Sequence, residues 1–159
     1  MSTTHVRPVR ATPVPMVREV MHGPVVAVAG QDTLWQAMDR MLTAHLRHMA
    51  VVDEGRAVGL LGDRDLASVW ALDPLGLKHR TARDVLGTEP RFVAPDIDVI
   101  SASKRLLGAG ADALLVVDET DRPVGVLTDH DLLKVLVDLY GDGDDHRQQG
   151  SRHPNMPPD

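Results

Sequence analysis

The feature that most constrains this chain is an internal repeat. Val51-Val52-Asp53-Glu54 recurs as Val116-Val117-Asp118-Glu119, and Val58-Gly59-Leu60-Leu61 recurs as Val124-Gly125-Val126-Leu127. Asp63-Arg64-Asp65-Leu66 returns as Asp129-His130-Asp131-Leu132, and Arg18-Glu19-Val20-Met21 as Arg83-Asp84-Val85-Leu86. These anchors keep one order and a spacing of 65 to 66 residues. The single-residue difference falls in the turn between Asp118 and Pro123. Self-similarity at a fixed period decides the architecture before any local signal does.

Each unit reads the same way. A short helical turn ends at Met21 (Leu86 in the second unit). A β-branched run at Val25 to Val28 (Phe92-Val93) predicts a strand. Leu34, Ala37, Met38, Met41 and Leu42 fall at helical spacing behind Asp32-Thr33. In the second unit that helix spans Ile97 to Leu107, opened by Asp96 and closed near Gly108 and Gly110. Met49 to Val52 and Ala57 to Leu61 flank Glu54-Gly55 and predict a hairpin. A last helix starts near Asp63, or at Asp129 for the run to Tyr140. The fold class is therefore α/β (α+β), with two β-α-β-β-α motifs packed as a pseudo-two-fold pair. About sixty residues are few for an independent core, so the two units are expected to share one. The divisions are a disordered tail over 1–16, motif 1 over 17–73, a linker over 74–80, motif 2 over 81–140 and a disordered tail over 141–159.

Composition closes off several functions. The formal net charge of −6 argues against a nucleic-acid binder, whose phosphate contacts need excess Lys and Arg. Cys is absent, which removes disulfides, thiolate zinc sites and thiol nucleophiles. No apolar run approaches the ~18 residues of a membrane span, and residues 1–16 carry no apolar signal-peptide core, so the expectation is a cytoplasmic protein with no membrane partner. No nucleophile-base-orienter set and no glycine-rich phosphate loop is visible; the expectation is no catalytic residues and no enzyme. Of the eight histidines, His45 and His48 share a helical spacing, but no third metal ligand follows. Only His48 is kept as a ligand candidate, and no metal is expected. Trp35 and Trp70 lie on the two helices of motif 1, at a monomer edge or in an interface. Arg7 and Arg10 read as a solvated tail.

The repeated "VVDE, turn, VGLL, xDxDL" pattern after β-α-β resembles the CBS domain, and two in tandem resemble a Bateman module. The resemblance covers Val17 to Tyr140, and the chain resembles the stand-alone CBS-pair proteins of bacteria. It implies a regulatory sensor that binds an adenosine-containing ligand between the motifs, with AMP, ADP or ATP as the regulatory ligand. It also implies a homodimer that signals to an effector protein. In that family a Ser/Thr-x-x-Asp holds the ribose hydroxyls, and here Thr128-Asp129-His130-Asp131 matches it. A carboxylate accepts hydrogen bonds from both ribose hydroxyls. Basic residues before the "VVD" strand meet phosphate in the family, and Arg47-His48 stand there. The resemblance makes these face Thr128 and Asp131.

The other unit departs from the pattern. Gly62-Asp63-Arg64-Asp65 lacks the hydroxyl, and Asp112-Ala113 replace the basic pair. Gly62, Asp65 and Asp112 would form a weaker second site, with an acid where an anion should sit. Thr128-x-x-Asp131 is equally the spelling of a helix capping box. The alternative function is an interaction scaffold without nucleotide binding.

Overall fold

The computed structural model describes residues 13–89 and 91–140. Residues 1–12, with Arg7 and Arg10, and 141–159, expected as tails, lie outside them. Each repeat forms a three-stranded sheet: β1 (Ala27–Ala29), β2 (His48–Asp53) and β3 (Arg56–Gly62), then β4 (Phe92–Val93), β5 (Ala113–Val117) and β6 (Pro123–Thr128). The outer strand runs parallel to the middle one and the hairpin partner antiparallel. The repeat extends to the register. Val51 faces Gly59 and Val116 faces Gly125, and in each hairpin the next pairing skips one valine, Val58 or Val124.

The turns differ as their sequences do. Glu54 and Gly55 both take positive φ, 48° and 80°, as a two-residue hairpin turn requires. The longer second turn is held by Asp118, whose Oδ1 accepts from the Thr120 and Arg122 amides at 2.8 and 3.0 Å.

Helix α2 (Leu34–Ala44) opens on Thr33, which exchanges hydrogen bonds with Gln36 in a capping box. Helix α5 (Val99–Gly108) opens on Asp98 rather than Asp96, because Asp98 alone reaches the Ser101 amide, at 2.8 Å. Helices α3 (Asp63–Leu72) and α6 (Asp129–Tyr140) follow directly on β3 and β6. The stretch read as a linker is not a passive one. It holds a helical turn (Gly76–His79), and Leu77, 1% exposed, packs in the first core. The outer strand also starts later than its β-branched run, at Ala27, leaving Val25 to pack between the sheets.

The packing unit is not the sequence unit. Helix α1 (Val17–Val20) opens repeat 1 in sequence but seats Val17 in the core of repeat 2, against Val93, Leu114 and Leu127. The Val17 and Arg18 amides donate to the carbonyls of Ile97 and Pro95 at 2.8 and 2.9 Å, and His22 pairs with Val126 in both directions. Reciprocally, the 3-10 turn Arg83–Val85 brings Val85 and Leu86 against the core of repeat 1, where Ala82 is buried, and Arg83 pairs with Asp53. Residues 15 and 16, on the tail side of the expected boundary, take part in the same contacts. Pro15 accepts from the Val99 amide at 3.0 Å and Met16 bridges to Asp98.

The repeated glycines are the seats for these exchanged turns. A Cβ on Gly125 would overlap Met21 Sδ, and one on Gly59 would stand 2.6 Å from both Leu86 methyls. A third cluster joins the sheets: Ala50, Ala57 and Leu60 from one, Ala113, Leu115 and Val126 from the other. At one end of this seam Asp112 lies 4.0 Å from Arg47 and 3.3 Å from His48.

Candidate functional site

The end of β6 and the first turn of α6 meet at a polar cluster. Asp131 is the one charged residue buried among the described residues, at 8% exposure. Its Oδ2 accepts from the Thr128 amide at 2.9 Å, the Thr128 hydroxyl at 2.8 Å and His22 Nδ1 at 3.0 Å. The Asp131 amide donates back to Thr128 Oγ1 at 3.2 Å. The capping box is thus formed in full. It does not exclude a second role, since Oδ1 accepts no hydrogen bond from the described residues.

Thr128 and Asp129 of repeat 2 line a cleft of about 270 Å³ together with Arg47 and His48 of repeat 1. The structure therefore brings Thr128, Arg47 and His48 together, with Asp131 directly behind Thr128. Arg47 Nε donates to Asp63 Oδ2 at 3.2 Å, and its terminal nitrogen stands 4.0 Å from Asp112 Oδ2. The Asp63 hydrogen bond and charge, with Asp112 and Asp129, hold the guanidinium firmly protonated, above its ordinary pKa.

Asp112 is not where the sequence reading put it. It was grouped with Gly62 and Asp65, yet it lines the cleft of Thr128 and lies 3.3 Å from His48 Nε2. The starts of β2 and β5 meet here, with His48 against Asp112. Arg47 and Asp112 hold equivalent places in the two repeats, and the carboxylate is drawn to the cations across the pseudo-two-fold axis. Partial burial pushes the Asp112 carboxyl up. The His48 hydrogen bond and the charges of His48 and Arg64 more than offset this, so its pKa lies below the ordinary carboxylate range.

Gly62 and Asp65 keep half of the motif. The Gly62 amide donates to Asp65 Oδ2 at 2.8 Å, with no hydroxyl to join them. The cavity between Asp65 and the exchanged turn at Leu86 measures about 20 Å³, room for about one water. A shallower hollow of 330 Å³ runs outward from Asp65 along α3 to Asp73 and Asp84.

Three histidines of the cleft were missed. His22, His45 and His130 line it beside His48. His22 arrives on the exchanged turn, and no local signal marks that crossing. His45 is set by the left-handed end of α2, at φ 53°, a conformation open to few residues other than glycine. Among the described residues no three His, Asp or Glu side chains stand together as a metal site, and no helix is long and apolar enough to cross a membrane. Trp35 and Trp70 are both exposed, at 49% and 62%. Lys78 lies over the Trp35 ring, 5.5 Å from its centroid, within cation–π range.

Comparison with known proteins agrees with this architecture. The family model for the CBS domain matches twice, at residues 17–71 and 82–138. Homoserine O-acetyltransferase of Methanococcoides burtonii is 30% identical over 121 residues, which are 76% of this chain and 24% of that protein. The chain spans about a quarter of the length of the curated relatives it matches. Among solved structures, the CBS domain pair of protein MJ0100 in complex with 5′-methylthioadenosine and S-adenosyl-L-methionine superposes with a TM-score of 0.70 at 20% identity. The match covers 78% of this chain and 97% of that one. CBSX2 in complex with AMP gives 0.66 at 21% identity, over 78% and 97%. At these identities the likeness is one of fold.

Proposed function

This chain belongs to the CBS domain family as a tandem pair, and from that premise we propose that it is a regulatory module for an adenosine-containing ligand. The ligand lies in the Thr128 cleft. Asp131 and the Thr128 hydroxyl take the ribose hydroxyls, and Arg47 and His48 lie toward a phosphate, as in AMP, ADP or ATP. The single observation that carries this reading is the convergence of Thr128, Arg47 and His48 on one 270 Å³ cleft. The MJ0100 pair and CBSX2 carry adenosyl ligands on the same fold.

Binding bridges the two repeats, because the walls come from both. It shifts whatever equilibrium exists between their arrangements by the difference in affinity for the two states. A homodimer and an effector protein complete the scheme. The apolar side chains on the outer helices, Trp70 on α3 and Leu133, Leu136 and Val137 on α6, offer the surface for them.

A thermal-shift panel of adenine nucleotides and 5′-methylthioadenosine tests the reading. A ligand at a hundredfold over its Kd stabilises by about 2.7 kcal/mol, or about 5–10 °C for a domain of this size. No shift across the panel overturns it. The same exposed surface then favours the second reading, an interaction scaffold.

A further inference from the structure

We propose that Asp112 is a specificity-determining residue of the cleft. It acts as an intramolecular counter-anion that makes the site prefer adenosine ligands of low negative charge, a monophosphate over a triphosphate. This deepens, and rests on, the reading of the cleft as an adenosine site.

Arg47 is the one arginine or lysine on the cleft wall. Its Nε is taken by Asp63 at 3.2 Å, and its outer nitrogen faces Asp112 at 4.0 Å. His48 is taken by the other Asp112 oxygen at 3.3 Å. Both groups that would meet a phosphate therefore already have a carboxylate partner. Asp129 is a second carboxylate on the lining. Apart from its histidines, the wall carries one positive and two negative side chains.

A phosphate approaching Arg47 also approaches Asp112, and like charges at such range repel with an energy inverse to their distance. Each added phosphate brings further negative charge to the same end of the cleft. The ribose contacts at Thr128 and Asp131 are common to all three nucleotides. Affinity should fall from AMP through ADP to ATP, and Asp112 sets the slope. Within the repeat the position is an acid where its counterpart is Arg47, so the discrimination belongs to this cleft and not to the scaffold.

The test is calorimetric titration of the full chain with AMP, ADP and ATP at pH 8 and low salt without divalent cations. It compares the wild type with Asp112→Asn and, as a second variant acting in the same direction, Asp129→Asn. The expected result is tighter AMP than ATP binding in the wild type, with the ratio shrinking about tenfold in Asp112→Asn. ATP binding as tightly as AMP in the wild type overturns the inference and leaves the adenosine site standing, as does a ratio unchanged in both variants. No heat with any nucleotide in any of the three proteins overturns the site reading, and this inference with it.

Discussion

Gly125→Ala probes the exchange of the lead-in turns, on which the cleft depends because His22 enters by that route. The new Cβ would overlap Met21 Sδ, and would stand 3.0 Å from Met21 Cγ and 3.3 Å from the His22 carbonyl oxygen. The thioether can swing aside, since Met is unbranched and adaptable. The carbonyl cannot, because it accepts from the Val126 amide at 3.0 Å while the His22 amide donates back at 3.1 Å. Relief comes from expelling half-buried Met21 or stretching that bridge, and overpacking of this kind costs about 1–3 kcal/mol. We expect about 2 kcal/mol, read from the urea midpoint at constant slope. Met21→Ala alone removes packing that is already lost in Gly125→Ala, so the double variant should fall short of the sum by about 1–2 kcal/mol. Loss within 0.5 kcal/mol for Gly125→Ala, or strict additivity with Met21→Ala, would refute the reasoning. Gly59→Ala against Leu86 should behave alike, with both branched methyls 2.6 Å from the new carbon.

Two further outcomes follow from the packing and the caps. Leu77→Ala should destabilise by about 3 kcal/mol in chemical denaturation, since the segment between the motifs buries this side chain fully; a loss under 1 kcal/mol would return the segment to a spacer. Asp98 is held below the ordinary carboxylate range first by the Ser101 amide, and Asp118 first by the Thr120 side chain and then by the Arg122 amide. Depressed folded-state values stabilise above the unfolded-state value near 3.9 and lose that effect as pH falls through the folded-state values. Melting temperature should therefore hold from pH 7 to about 5 and drop below about 4. The drop should be shallower in Asp98→Asn, which starts lower at neutral pH; an identical acid profile for that variant would contradict the assignment.

The motif order, hairpins and caps were legible because each is a local pattern. Val51-Val52 and Val116-Val117 alternate with turn residues, and Thr33-x-x-Gln36 spells its own cap. The exchange was not legible. Arg18 to Met21 belongs to repeat 1 in sequence, and only the mutual fit of Met21 to Gly125 and Leu86 to Gly59 assigns it across the pair. The repeated glycines were visible, but nothing local says what approaches them. For the same reason the sequence does not single out His22, and alignment puts Asp112 in the other cleft. Proximity across a pseudo-two-fold axis is a property of the packed pair, and pairing like with like by alignment cannot supply it. Arg47, His48 and Thr128 were found together because their grouping came with the family resemblance rather than from their spacing.

The most direct measurement is a calorimetric titration of AMP into the wild type, Asp131→Asn and Asp65→Asn, with folding of each checked by its melting curve. The account predicts one ligand per chain, loss of at least tenfold in affinity for Asp131→Asn, and unchanged affinity for Asp65→Asn. Equal losses from the two substitutions, or two equivalent ligands per chain, would contradict a single working cleft at Thr128 and Asp131.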